Sequence, residues 1–209
     1  DDQIENFFIR LLRGSGLTGL SSMSLKTKYN NKLKIIRPFL RFEKKDLKYV
    51  TVSYFKKYIK DPSNKNEKFM RIRIRKYRQS MEKEGLDTRK IIKTVDNLMS
   101  ANKALNFYKN KALYKYASFI SKDKCLINKK IFSEEAGEII FKSFSDILSL
   151  VSGTYYPPRS KKIINLIERL KKDKFVKSTL GGCILEEKNN FILVSREFKI
   201  RKAQYQPQK

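Results

Sequence analysis

Apolar side chains recur at helical spacing from the start of the chain. Ile4, Phe7, Phe8, Leu11 and Leu12 fall at i, i+3, i+4, i+7 and i+8, which predicts an amphipathic helix over 2–13, closed by Gly14. Leu33, Ile35 and Ile36 predict a short extended segment within 32–42 that stops at Pro38. A second helix is expected over 44–58, with Leu47, Val50, Tyr54 and Tyr58 on one side, although Val50-Thr51-Val52 lowers its propensity. Asp61-Pro62-Ser63-Asn64 reads as a turn. The helix expected next, over 70–83, carries Arg71, Arg75 and Arg78 on one face and Ile74, Tyr77 and Met81 on a neighbouring apolar stripe. Gly85 ends it. Asp87 then caps a long helix over 88–118, with Ile91, Val95, Leu98, Leu105 and Tyr108 inward.

The rhythm changes at Asp123. Short strands are expected at 124–127 and 130–132. A helix is expected over 134–150 on Ile139, Ile140, Phe144 and Leu148, and another over 160–172. Between these helices lies a stiff aromatic loop, Tyr155-Tyr156-Pro157-Pro158-Arg159. Residues 175–200 read as a small antiparallel sheet with turns at Gly181-Gly182 and Asn189-Asn190, and only 204–209 read as disordered. The expected fold is mainly α with small β elements, an α+β class, in two domains divided near Gly85: 1–84 and 85–209.

Charge sharpens this picture. With 48 basic and 21 acidic residues the formal net charge is +27, so polyanions are the favoured partners and RNA or DNA comes first. An anionic membrane surface comes second, but no stretch approaches the ~20 apolar residues of a membrane span. Nothing in the opening residues reads as a secretory leader, and a reducing cytoplasm is the expected compartment. Histidine is absent, which excludes histidine acid–base chemistry and histidine metal sites within these residues. Cys125 and Cys183 are single and far apart, so neither a CxxC box nor a disulfide framework is expected. No metal site is expected in the chain itself.

Within this lysine-rich composition arginine is concentrated at one place. Only 13 of the 48 basic residues are arginine, yet Arg71, Arg73, Arg75 and Arg78 fall within eight positions. Guanidinium groups bind phosphate bidentately and stack on bases, which an ammonium does not, so contact with a nucleic acid or nucleotide phosphate is expected here. The loop containing Tyr155 and Tyr156, followed by Arg159, Lys161 and Lys162, suits stacking plus phosphate contact, although prolines also rigidify ordinary loops. Asp2 and Glu5 share a helix face. Their spacing favours complementing the helix dipole over the alternatives, an ammonium contact or a share in holding Mg²⁺. Gly14-Ser15-Gly16-Leu17-Thr18-Gly19 matches GxGxxG in letters only, since a helix is expected before it where a dinucleotide fingerprint needs a strand. Cys183 beside Gly181-Gly182 reads as a packed turn residue.

Taken in order, several segments resemble one family, the bacterial tRNA(Ile)-lysidine synthases of the PP-loop ATP pyrophosphatase type. The segments are Asp1-Asp2-Gln3-Ile4-Glu5, Arg10-Leu11-Leu12-Arg13-Gly14-Ser15-Gly16-Leu17 with Gly19-Leu20, Ile36-Arg37-Pro38-Phe39-Leu40, Asp61-Pro62-Ser63-Asn64, Phe69 with Arg71-Ile72-Arg73-Ile74-Arg75, Tyr156-Pro157-Pro158-Arg159 and Thr179-Leu180-Gly181-Gly182-Cys183. The resemblance implies that 1–84 is the last part of an α/β, Rossmann-like PP-loop domain. It also implies that 85–209 is a helical tRNA-recognition domain ending in the small sheet. The implied reaction uses ATP and Mg²⁺ to adenylate C2 of the wobble cytidine of a tRNA(Ile) with a CAU anticodon, after which free L-lysine displaces AMP. Asp2, Glu5, Arg71, Arg73 and Arg75 match the family's catalytic positions. Arg71, Arg75, Arg78, Arg159, Lys161 and Lys162 are the residues expected on nucleic acid.

This chain departs from the family pattern in three ways. The Ser-Gly-Gly-x-Asp-Ser phosphate loop is absent from the sequence, as are the histidines that usually precede Asp-Asp-Gln, and Ile72 stands where many members carry Asn. The residues that bind the ATP phosphates are therefore unknown here. The chain reads as roughly the C-terminal two thirds of such an enzyme and is expected to be inactive alone, with a homodimer left open. The alternative is a basic RNA-binding module without catalysis. A thiolating PP-loop enzyme is disfavoured by the lack of paired cysteines.

Overall fold

The structure is a computed structural model that describes residues 2–21, 23–28, 33–59, 61, 62, 66, 68–172 and 175–197. Ser63 and Asn64 of the expected turn, 198–200 of the expected sheet and the expected disordered tail 204–209 lie outside the described residues. Contacts divide the chain into two compact units, Asp1–Ala104 and Leu105–Lys209.

The first unit is helical with one short hairpin. Helix α1 (Asp2–Leu12) follows the expected stripe and turns at Gly14, whose φ of 65° is left-handed. A four-residue helix, α2 (Leu17–Leu20), occupies the glycine-rich stretch, so a helix precedes this segment as expected. Strands β1 (Lys26–Lys28) and β2 (Lys34–Ile36) pair antiparallel; β1 gave no apolar signal in the sequence because it is Lys-Thr-Lys. Helix α3 (Lys44–Phe55) begins with a reciprocal capping box between Glu43 and Asp46. Helix α4 (Met70–Lys83) lies against α1. Ile4 and Phe8 of α1, Ile74 of α4 and Ile91 of the next helix form the small core, with Phe7, Met70 and Met81 packed around it. Tyr77, expected on the apolar stripe, is 63% exposed.

Helix α5 (Thr88–Tyr116) starts where Asp87 accepts a hydrogen bond from the Lys90 amide at 2.8 Å. Ile91 and Val95 are buried as expected, whereas Tyr108 is exposed. The helix stops two residues short of the expected end because Ala117 already pairs with Ile127.

The second unit is built on a five-stranded antiparallel sheet in the order β3-β4-β7-β6-β5. Its strands are β3 (Ala117–Ser121), β4 (Lys124–Asn128), β5 (Lys177–Leu180), β6 (Cys183–Lys188) and β7 (Phe191–Arg196). Alternate residues Cys125 and Ile127, Cys183 and Leu185, and Ile192 and Val194 face inward, the period-2 pattern of a sheet covered on one side. Helix α7 (Gly137–Ser152) packs on that face with Ile140, Phe144, Ile147, Leu148 and Val151 fully buried. Helix α8 (Ser160–Leu170) adds Ile163, Leu166, Ile167 and Leu170 at i, i+3, i+4 and i+7.

Two expectations need correction here. Residues 130–132 are not a strand, because Asn128 accepts a hydrogen bond from the Lys130 amide and turns the chain into α6 (Ile131–Glu134), whose Ile131 enters the core. Strand β3 was missed, its residues having been assigned to the end of α5. The α+β class stands. Among the described residues no helix is long and apolar enough to cross a membrane.

Candidate functional site

In the first unit a cavity of about 480 Å³ opens between the start of α1, the segment after β2, and α4. Asp2 enters it from the first turn of α1, and Arg71 and Arg75 enter one turn apart from α4. Arg37, Phe39, Phe42 and Lys44 complete its charged and aromatic wall. Local chemistry explains the shape of this wall. Arg37 follows β2 and donates to Thr27 Oγ1 at 2.9 Å and to the Ser24 carbonyl at 3.2 Å, which ties the wall to the hairpin. Pro38 cannot continue the strand, and Phe39 and Phe42 meet edge to face with centroids 6.1 Å apart.

Behind this cavity Arg75 and Glu5 form a two-pronged ion pair. Arg75 Nε donates to Glu5 Oε1 at 2.6 Å and Nη2 donates to Oε2 at 3.2 Å. The Glu5 side chain is only 3% exposed, whereas that of Arg75 is 36% exposed. The hydrogen bond to Glu5 raises the already high pKa of Arg75; burial opposes this, and the charges of Glu5 and Asp2 add to it. Arg75 is therefore a fixed cation facing the cavity, aligned from the rear by a carboxylate that does not line it. Four cations against the single carboxylate of Asp2 make the cavity selective for anions, with one place for an ammonium.

The structure thus brings Asp2, Arg71 and Arg75 together and sets Glu5 behind them. Arg73 lies outside the cavity wall and donates to the Lys68 carbonyl at 3.4 Å. Arg78 donates to Glu82 at 2.8 Å and to Thr88 Oγ1 at 2.6 Å, joining α4 to the start of α5. Arg37, Phe39, Phe42 and Lys44 had no expected site role. For Arg37 and Phe39 a signal was available in Ile36-Arg37-Pro38-Phe39-Leu40, which belongs to the family resemblance but contains no cluster of like residues; Phe42 and Lys44 carried none.

In the second unit Arg159, Lys161 and Lys162 are exposed around the start of α8. Tyr155 and Tyr156 are also exposed, ring edge to ring face at 4.7 Å. The loop is seated on the β5–β6 turn. Gly181 has a φ of 63°, and a Cβ there would stand 2.5 Å from Pro158 Cγ, so the close approach requires glycine.

Among the described residues no group of three or more acidic or cysteine side chains could hold a metal ion. The donor set of the cavity suits phosphate oxygens. A magnesium ion would find one protein carboxylate there, Asp2, and would need phosphate or water for its other ligands. Burial pushes the Cys125 and Cys183 thiols up to about 11, so neither is a nucleophile near neutral pH.

Residues 1–80 match the PP-loop domain family. Along nearly its whole length the chain is similar to tRNA(Ile)-lysidine synthases. It is 34% identical to that of Orientia tsutsugamushi over 205 residues, covering 95% of this chain and 46% of the relative. It is 31% identical to that of a Wolbachia from Brugia malayi over 198 residues, covering 94% and 46%. With the Rickettsia akari protein it shares 29% over 207 residues, covering 95% and 45%. The chain spans about half the length of these curated relatives, less than the two thirds expected from its motifs.

Proposed function

Because this chain is homologous to tRNA(Ile)-lysidine synthases and carries a PP-loop domain match in its first 80 residues, we propose that it forms part of an ATP-dependent tRNA-modifying ligase. The observation that carries this reading is the first-unit cavity. It sets one carboxylate among guanidinium groups and beside aromatic rings, a combination suited to a nucleotide and an amino acid together. In this reading ATP transfers AMP to the C2 oxygen of the wobble cytidine of a tRNA(Ile) with a CAU anticodon and releases pyrophosphate. The ε-amine of free L-lysine then forms the C2–N bond and displaces AMP.

The chain's own residues divide the work. Asp2 accepts a lysine ammonium. Arg71 and Arg75 hold phosphate oxygens at the reacting end, with Arg75 kept on axis by Glu5. Arg78 borders this face of α4, whereas Arg73 lies on the opposite side of the helix and remains a candidate for tRNA or nucleotide contact. We assign residues 1–84 to the chemistry and 85–209 to tRNA, with Arg159, Lys161 and Lys162 on its backbone. This functional division lies near Gly85, whereas the compact units divide at 104/105. A Ser-Gly-Gly-x-Asp-Ser loop is absent from the 209 residues, so the ATP phosphates must be cradled from outside them and the chain alone is expected not to turn over. Such chemistry belongs in the cytoplasm, where the tRNA, ATP and lysine are present.

The deciding measurement is binding of the chain to tRNA(Ile) with a CAU anticodon against tRNA(Met) at about physiological salt. At least severalfold preference for tRNA(Ile) is expected. Equal affinity would leave only the charge of +27 acting and favour the non-catalytic RNA-binding module.

A further inference from the structure

The second unit contains a cavity that none of the residues above explains. It measures about 700 Å³ and is lined by Phe119 and Ser121 of β3, Lys122 and Asp123 of the β3–β4 turn, Leu150 and Gly153 at the end of α7, and Arg196 at the end of β7. That volume is in the range that holds small-molecule-sized ligands. Its walls combine two kinds of surface. Phe119 and Leu150 are large apolar side chains left half exposed or more. Opposite chemistry comes from Arg196, which is pinned twice to the turn: its amide donates to the Asp123 carbonyl at 2.9 Å and its Nη1 to Asp123 Oδ1 at 3.2 Å.

Gly153 completes the arrangement. It ends α7 with a φ of 72°, and a Cβ on it would stand 3.6–3.8 Å from the Arg196 guanidinium, so the guanidinium lies directly against the backbone. Two residues further along the chain come the exposed rings of Tyr155 and Tyr156, and then Arg159, Lys161 and Lys162. Aromatic faces interleaved with cations are the arrangement that holds single-stranded nucleic acid, because every base has a face to stack and every linkage a charge to neutralise.

We propose that this cavity receives one unstacked nucleotide of a single-stranded RNA segment. Its base lies against Phe119 and Leu150, Lys122 and Arg196 meet the adjoining phosphate, and Asp123 with the Ser121 hydroxyl accepts from the base edge. A carboxylate acceptor favours a base that presents an exocyclic amine, so cytosine is preferred to uracil, which stacks similarly but has no such donor. The proposal rests on the tRNA reading only for the identity of the natural RNA; the pocket chemistry stands on its own.

The test measures binding of the 209-residue chain to labelled oligo(C), oligo(U), tRNA(Ile) and tRNA(Met), across a salt series. Phe119→Ala should weaken oligo(C) binding by about 5- to 150-fold, the range of one lost base–aromatic stack, without changing the salt slope. Phe119→Trp should retain affinity, and thermal melts of both variants should match the parent, since Phe119 is 49% exposed. Asp123→Asn should erase the preference for oligo(C) over oligo(U). Equal oligo(C) affinity in the parent and Phe119→Ala, or a loss that Phe119→Trp fails to rescue, would overturn the nucleotide pocket while leaving tRNA binding to be judged separately. Failure to distinguish tRNA(Ile) from tRNA(Met), with the Phe119 effect intact, would instead overturn the functional reading and keep the pocket.

Discussion

Removing either partner of the Glu5–Arg75 pair should have unequal consequences, and exposure sets the inequality. In Arg75→Ala the Glu5 carboxylate is left 3% exposed with its two strongest donors gone. Stranding a buried charge in this way costs about 3–5 kcal/mol. In Glu5→Ala the remaining guanidinium is 36% exposed and can turn toward water, so the cost falls to about 1–2 kcal/mol, nearer that of one charged hydrogen bond. The double variant should resemble Glu5→Ala, giving a coupling equal to the whole Arg75→Ala cost, about 3–5 kcal/mol. Hydrogen exchange of the α1 and α4 amides reads this locally, and a 2 kcal/mol loss is about a thirtyfold fall in protection. Equal costs for the two single variants, or additive costs in the double, would refute the rear-support role of Glu5.

Other outcomes are expected from the same structure. Asp2→Asn in the complete ligase should raise the lysine KM with a smaller effect on that of ATP, whereas Glu5→Gln should lower kcat as well; identical profiles would remove the distinction between contact and support. Arg71→Ala or Arg75→Ala should reduce lysidine formation at least tenfold, and near-normal turnover would displace them from the reacting end. Each of Arg159→Ala, Lys161→Ala and Lys162→Ala that removes a phosphate contact should flatten the slope of log K against log salt by about 0.7 to 0.9. Cys125 and Cys183 should resist a thiol reagent at pH 8 until the chain is unfolded. Because their folded pKa lies near 11, above the unfolded value, their contribution to stability is complete below about pH 8.5 and declines through pH 11, and Cys→Ala variants should lack that decline. Gly181→Ala, which meets Pro158 and strains a left-handed φ, should release the tyrosine loop to faster chymotrypsin cleavage after Tyr155.

Much of the fold could be read from periodicity. The stripe of α1, the cap at Asp87 and the turns at Gly181-Gly182 and Asn189-Asn190 each have a local cause that sequence displays. Where the reading failed, the cause was not local. Ala117–Ser121 follows an unbroken helical pattern and becomes a strand only because Lys124–Asn128 returns beside it. Tyr77 and Tyr108 fit helical stripes but face solvent, since a stripe shows which residues align and not how wide the covering surface is. The candidate site was legible in part for the same reason. Arg71 and Arg75 share a helix face, which spacing reveals, whereas Glu5 and Arg75 meet across 70 residues, and only folding separates Asp2 in the cavity from Glu5 behind it.

Among the described residues strand β7 is the last element of the second unit, yet it sits in the middle of the sheet, joining β4 on one side to β6 on the other. Before residue 196 is synthesised, the β3–β4 and β5–β6 hairpins have no shared edge and the apolar face of α7 has no continuous sheet to cover. A ribosome-bound chain must therefore hold this unit open until β7 leaves the exit tunnel, and then close it in a step that spans the roughly 60 residues between β4 and β7. Stop codons or frameshifts even a few residues ahead of Phe191 should consequently yield aggregation-prone chains with two orphaned hairpins rather than a shortened but folded unit.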